Sequence, residues 1–229
     1  MKNLTFLLIT IIVLCLTLPS HAQTYYLGVI GGWNSADLTV KDPQGEKQEV
    51  KGRNVFGVGG VLGIGINQFV SVELQPMYLQ KGGTVVQNAP SPDIELKSTY
   101  FEIPLFLKVA AFREGFQPYV LGGATFGFLL TSDLEAEIGG FKFKADAKGI
   151  TKSFEFGLGF GAGIRFPVGS ANLFLEGRYI FGMGNLNEGG TIEFKYDDIV
   201  AEEEFDKENE FSNKGLQVMA GVTFPLGGF

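Results

Sequence analysis

Residues 153–166 alternate with a strict period of two. One face carries Phe154, Phe156, Leu158, Phe160, Ala162, Ile164 and Phe166, and the other Ser153, Glu155, Gly157, Gly159, Gly161, Gly163 and Arg165. Only a strand sends successive side chains to opposite faces. The bulky face is apolar and the opposite face has almost no side chains, which a soluble sheet would seldom leave toward water. Rows of Gly suit the narrow interior of a small barrel, and the large apolar face is then left for lipid. The same demand explains 33 Gly among 229 residues, about twice the usual share of roughly 7%.

Eight segments repeat this division: 25–34, 54–66, 70–80, about 100–109, 119–130, 153–166, 172–183 and 215–224. Ten residues at about 3.3 Å each, tilted by about 40°, rise roughly 25 Å, the height of an outer-membrane apolar band. The connectors 35–53, 67–69, 81–97, 110–118, 131–152, 167–171 and 184–214 run long, short, long, in strict turn. The chain therefore reads as all-β, an eight-stranded antiparallel up-and-down transmembrane β-barrel with short periplasmic turns. Pairing the first strand with the eighth removes edges that lipid cannot satisfy. In the third long connector, Leu134, Ala136, Ile138 and Phe141, Phe143, Ala145 flank Gly139-Gly140, a dipeptide suited to a two-residue turn. That register sets Glu137 opposite Lys142 and Glu135 opposite Lys144. Counting hairpins in the third and fourth loops as strands would raise the tally from eight to ten. Tyr25, Trp33, Tyr78, Tyr119 and Tyr179 are candidates for interfacial girdles.

The N-terminus is an address. Lys2, the apolar run 4–18 and Ser20-His21-Ala22 form a secretory signal peptide cleaved after Ala22. This divides the chain into a leader, 1–22, and one barrel domain, 23–229. A membrane anchor would need about 20 apolar residues rather than about 15. A lipoprotein would use Cys15, which follows Leu14 inside the hydrophobic run. Cleavage removes the only Cys and the only His, and with them thiolate, imidazole and His- or Cys-ligated metal chemistry. No cofactor is expected and no enzyme. An acid pair such as Glu102 and Glu155 acting on glycosidic bonds is the one catalytic option left.

By parity the inward face carries Glu73, Glu102, Glu155 and Glu176 with Lys108, Arg165 and Arg178. In a narrow lumen such charges must pair, because an unpaired ion away from water costs several kcal/mol. Two readings follow: a salt-bridge plug, or a small gated pore whose selectivity those charges set. The stretch 184–213 carries ten acids and two bases, an excess equal to the entire net charge of the mature chain. Carboxylates at this density, Asp197, Asp198, Glu202 and Glu203 among them, are weak candidates for Ca²⁺. Their spacing matches no EF-hand loop, and a solvated, self-repelling loop is the simpler reading. Such a loop also speaks against nucleic acid, whose phosphates need Lys and Arg.

The strings Phe101-Glu102-Ile103-Pro104-Leu105-Phe106-Leu107-Lys108, Gln117-Pro118-Tyr119-Val120-Leu121-Gly122-Gly123, the Gly-alternating run 156–163, and Leu175-Glu176-Gly177-Arg178-Tyr179 before Gly184-Asn185-Leu186 resemble the PorT-like outer-membrane β-barrel family of Gram-negative bacteria, chiefly Bacteroidetes. The resemblance implies the barrel fold and an outer-membrane location. Phe229 resembles the terminal aromatic read by barrel-assembly machinery. The expected partners are outer-membrane lipid, that machinery during biogenesis, and an envelope or extracellular protein. The expected role is a non-enzymatic structural or binding component of the envelope. The alternatives are a narrow channel or transporter, and an accessory component of a protein secretion system, the role of the family's namesake.

Overall fold

In the computed structural model, strand β1 (Thr24–Lys41) pairs antiparallel with its sequence neighbour β2 (Val50–Gly65) on one side and with β12 (Glu210–Leu226), the last strand, on the other. The structure describes residues 24–41, 44–86, 93–138, 141–196, 199–205 and 207–226. Of these, residues 137–138, 141–142, 193–196 and 199–205 are described by backbone alone. The leader, Phe229, Gly139-Gly140, Asp197 and Asp198 lie outside the described residues.

The other strands are β3 (Val70–Leu74), β4 (Met77–Val85), β5 (Ile94–Ala110), β6 (Gln117–Ile138), β7 (Phe141–Asp146), β8 (Phe154–Val168), β9 (Ala171–Met183), β10 (Gly190–Tyr196) and β11 (Ile199–Phe205). All twelve belong to one sheet. Its ring runs β1, β2, β3 with β4, β5, β6, β8, β9, β12 and back to β1, which makes eight staves. The third stave, read as the unbroken segment 70–80, is two strands with a seam at Gln75 and Pro76. Proline brings no ladder N–H. Hydrogen bonding nevertheless continues across the seam, from Gln75 N to Pro104 O and from Gly60 N to Pro76 O, both at 2.9 Å.

At one end the turns are tight. Asn67 Oδ1 accepts the amides of Phe69 (2.8 Å) and Val70 (2.9 Å), an Asx turn, and Gly169 takes the left-handed φ of 62° that closes the β8–β9 hairpin. Above this end the outward face is apolar and uncovered, with Phe56 72% and Phe160 58% exposed. Apolar side chains so exposed all round a closed sheet are what a lipid-facing wall requires.

At the opposite end the staves run past the expected boundaries, and the meaning of the alternation reverses. On β1 the outward positions become Ser35, Asp37, Thr39 and Lys41, while the inward Ala36, Leu38 and Val40 are buried. Ion pairs between β1 and β12, Asp37–Lys214 (3.1 Å) and Lys41–Glu210 (2.7 Å), join residues that are direct register partners. Arg53 meets Glu95 at 2.6 Å, and Lys97 bonds Glu135. That hydrogen bond from Lys97 to the Glu135 carboxylate holds the ammonium pKa above its ordinary value. A wall carrying these groups faces water.

The expected hairpin of the third connector is β6–β7, with Glu135 opposite Lys144 and Glu137 opposite Lys142. The Lys144 ammonium reaches Asp133 (3.4 Å). The acidic stretch 184–213 is not a bare solvated loop: it holds β10 and β11, paired with each other, and β10 pairs onward with β7. Glu202 and Glu203 are successive positions of β11, and successive positions of a strand belong to opposite faces of the sheet. Among the described residues no group of three or more His, Cys, Asp or Glu is placed to hold a metal ion.

Candidate functional site

The lumen is filled by two charged clusters, one above the other. In the lower cluster Lys108 of β5 puts its ammonium between Glu73 of β3 (2.6 Å) and Glu176 of β9 (2.8 Å). Each carboxylate takes a second bond from a phenol, Tyr26 to Glu73 and Tyr119 to Glu176, both at 2.9 Å. Arg178, completely buried, reaches Glu176 (3.2 Å), donates from Nε to Gln217 (2.6 Å) and from Nη1 to Gln75, and lies 5.3 Å over the Phe106 ring. Gln75 in turn donates to Glu73 (2.8 Å). Two acids and two bases cancel, and groups from six staves are bonded together across the axis. Buried charges persist only when paired and hydrogen-bonded in this way.

In the upper cluster Lys81 of β4 lies between Glu102 of β5 and Glu155 of β8, 2.9 Å from the latter, and its ammonium stands 5.0 Å over the Tyr100 ring. Asn213 donates to Glu155 at 3.2 Å. Two carboxylates share one ammonium, so this cluster carries a formal charge of −1.

Glycine makes the filling possible. A Cβ on Gly63 would stand 2.1 Å from the Tyr26 ring, and one on Gly163 2.6 Å from the Tyr119 ring. Both phenols pass where a Cβ would stand to reach their carboxylates.

Six of the seven residues expected inside on parity, Glu73, Glu102, Lys108, Glu155, Glu176 and Arg178, lie in these clusters. Arg165 is inward but half-buried near the tight-turn end, where its Nε donates to Gln117 at 2.9 Å. Two assignments need correction. Lys81, read as the start of a connector, is a member of β4. The signal is present in the sequence, since the inward positions 73, 75, 77 and 79 continue to 81. Tyr119, read as a girdle residue, is buried in the lumen because it falls on the inward parity of β6, whereas Tyr25, Tyr78 and Tyr179 are exposed on the outer wall.

A closed ring of eight antiparallel staves, apolar outside and charge-paired inside, defines a membrane β-barrel. The chain belongs to the outer membrane protein beta-barrel domain family, whose pattern matches residues 21–188; an outer-membrane location follows from that family. No curated protein matches the chain by sequence. Among solved structures, a major outer membrane protein from Thermus thermophilus is similar over 90% of this chain and 100% of its own, at TM-score 0.55 and 10% identity. The outer membrane protein OprG from Pseudomonas aeruginosa is similar over 90% of this chain and 98% of its own, at TM-score 0.51 and 14% identity. Both likenesses concern the fold.

Proposed function

We propose that this protein is a sealed, non-enzymatic barrel that serves as a structural or binding component of the cell envelope, delivered by a leader cleaved after Ala22 and akin to the PorT-like members of its family. One observation carries the reading: Arg178 and Lys108, both buried, bond acids, amides and rings from opposite staves across the barrel axis. The voids beside the two clusters measure about 10 Å³ each, room for about one water apiece. Eight staves enclose an interior that side chains can fill, which favours the plug over a channel. The absence of His and Cys after residue 21 supports a non-enzymatic role. Lipid around the wall and assembly machinery during biogenesis are the expected partners. The projecting strands β7, β10 and β11 are the surface an envelope or extracellular protein would meet, a secretion apparatus included.

Single-channel recording on purified protein in planar bilayers tests the seal. The expected trace has no steady conductance. Stable openings in the wild-type protein that change on Arg178→Ala or Lys108→Ala would overturn it.

A further inference from the structure

Lipid requires staves of about ten residues, yet β1, β5, β6 and β12 run 17 to 22. Their upper thirds face water outside and turn apolar side chains inward. Side chains leave a cavity in the space they enclose. Above the Lys81 cluster lies a cavity of about 230 Å³, lined chiefly by apolar side chains such as Leu38, Leu134, Phe211 and Ile150 of the short 3-10 turn Lys148–Ile150, with Gln48 and Asn209 among its uncharged polar ones. An apolar cavity of roughly 150 Å³ is enough to hold benzene. No lining residue carries a charge, and the cluster beneath is net negative.

Among the described residues that line the cavity, one buried side-chain atom has an open valence. Tyr100 is completely buried and lines the cavity, and its hydroxyl has no hydrogen-bond partner of good geometry. The neighbouring Asn213 amide donates to Glu155 at 3.2 Å and approaches the Tyr100 hydroxyl only outside good hydrogen-bond geometry, and the Ser98 hydroxyl bonds Ser132 at 3.1 Å. A buried hydroxyl left unpaired is costly, and a ligand group that bonds it recovers that cost.

We propose that this chamber is a binding site for a small uncharged molecule with an apolar body somewhat larger than benzene and one hydroxyl or carbonyl group, which bonds the Tyr100 hydroxyl. The proposal deepens the sealed-barrel reading, since the plug is the chamber's floor. Anions are excluded by the uncharged lining over a negative cluster. An apolar molecule from the medium and a lipid or detergent chain share the chemistry of the wall, but only the former presents a compact polar head to Tyr100.

The test is fluorine NMR on the full mature protein in micelles, titrated with 4-fluorophenol, fluorobenzene and 4-fluorobenzoate. The expected result is saturable binding of 4-fluorophenol, fluorobenzene weaker by roughly three- to tenfold, in keeping with one hydrogen bond, and no binding of 4-fluorobenzoate. Tyr100→Phe should abolish the advantage of the phenol while fluorobenzene still binds. Leu134→Trp, which fills the chamber, should abolish both, and Val85→Trp at its wall repeats that test should the first variant misfold. Retained folding is checked by heat-modifiable gel migration. Uptake that never saturates, or that persists in the filled variants, would mean partition into detergent and overturn the proposal, as would a chamber that takes up no probe. Either result leaves the seal standing, whereas steady conductance would remove the seal itself.

Discussion

The Lys108 ammonium and the Glu176 carboxylate meet at 2.8 Å inside the barrel, from strands β5 and β9, 68 residues apart in sequence. Without the lysine, Glu73 and Glu176 would keep Arg178 as the one cation of their cluster, because Lys108 neutralises both acids and all these groups are almost wholly buried. Removing one partner of a buried pair costs about 3–5 kcal/mol, chiefly through the charge left behind. Lys108→Ala should therefore destabilise the folded barrel by that amount in urea unfolding from lipid vesicles. A loss below about 1 kcal/mol would mean that water reaches the site.

Lys81 separates two carboxylates. In Lys81→Met, Glu102 and Glu155 face each other with no cation between them, and the loss expected is again about 3–5 kcal/mol. Adding Glu102→Gln and Glu155→Gln should recover most of it, since the repulsion and the desolvated charge go together. The same unfolding measurement on single, double and triple variants checks this. A triple variant no more stable than Lys81→Met would show that the lysine acts by packing alone.

The charge pairs on the outer rim carry a different expectation. Asp37 and Lys214 are 3.1 Å apart with more than a third of each side chain exposed, and exposed pairs contribute about 0.2–1 kcal/mol. Asp37→Ala should change stability by less than about 1 kcal/mol, with the remaining dependence falling as salt is raised. A loss of several kcal/mol would place this rung inside the membrane rather than above it.

These contrasts also show what the sequence makes legible. Within the bilayer the period of two and the Gly-lined face are enough to sort Glu102, Lys108 and Glu155 to the interior, because lipid outside and close packing inside pull opposite ways at every step. Above the bilayer the outer solvent becomes water and the preference reverses, so a search for apolar-outward alternation stops β1 near Asn34 although the strand continues to Lys41. Lys81 escapes such a search for a related reason. Lys81-Gly82-Gly83 has the composition of a turn, yet Gly82 sits within β4 at a φ of 123° with the carbonyl of Leu96 against it. The seam at Gln75 and Pro76, and the pairing of β10 with β7, depend on contacts between distant segments that local pattern does not encode.

Gly63 and Tyr26 give a test of the packing. A Cβ at Gly63 would stand 2.1 Å from the phenol ring and 2.6 Å from its oxygen, with no backbone atom among its nearest contacts. Overpacking of this kind costs about 1–3 kcal/mol, so Gly63→Ala should destabilise by that amount. In combination with Tyr26→Ala the two losses should be markedly less than additive, the signature of residues in direct contact. Additive losses would mean that Tyr26 does not lie across Gly63.

Lipid-facing wall, sealed lumen and chamber all depend on the closure of β1 on β12. Thr39 and Ser212 are register partners across that seam, on the water-facing extension, and the sequence has no Cys after Cys15 to compete. The variant Thr39→Cys with Ser212→Cys, oxidised mildly in intact cells and analysed on a non-reducing gel after boiling, reads the closure directly. The account predicts near-complete intramolecular cross-linking, seen as faster migration that reductant abolishes. Thiols that stay free, or that join separate molecules, would contradict a closed barrel.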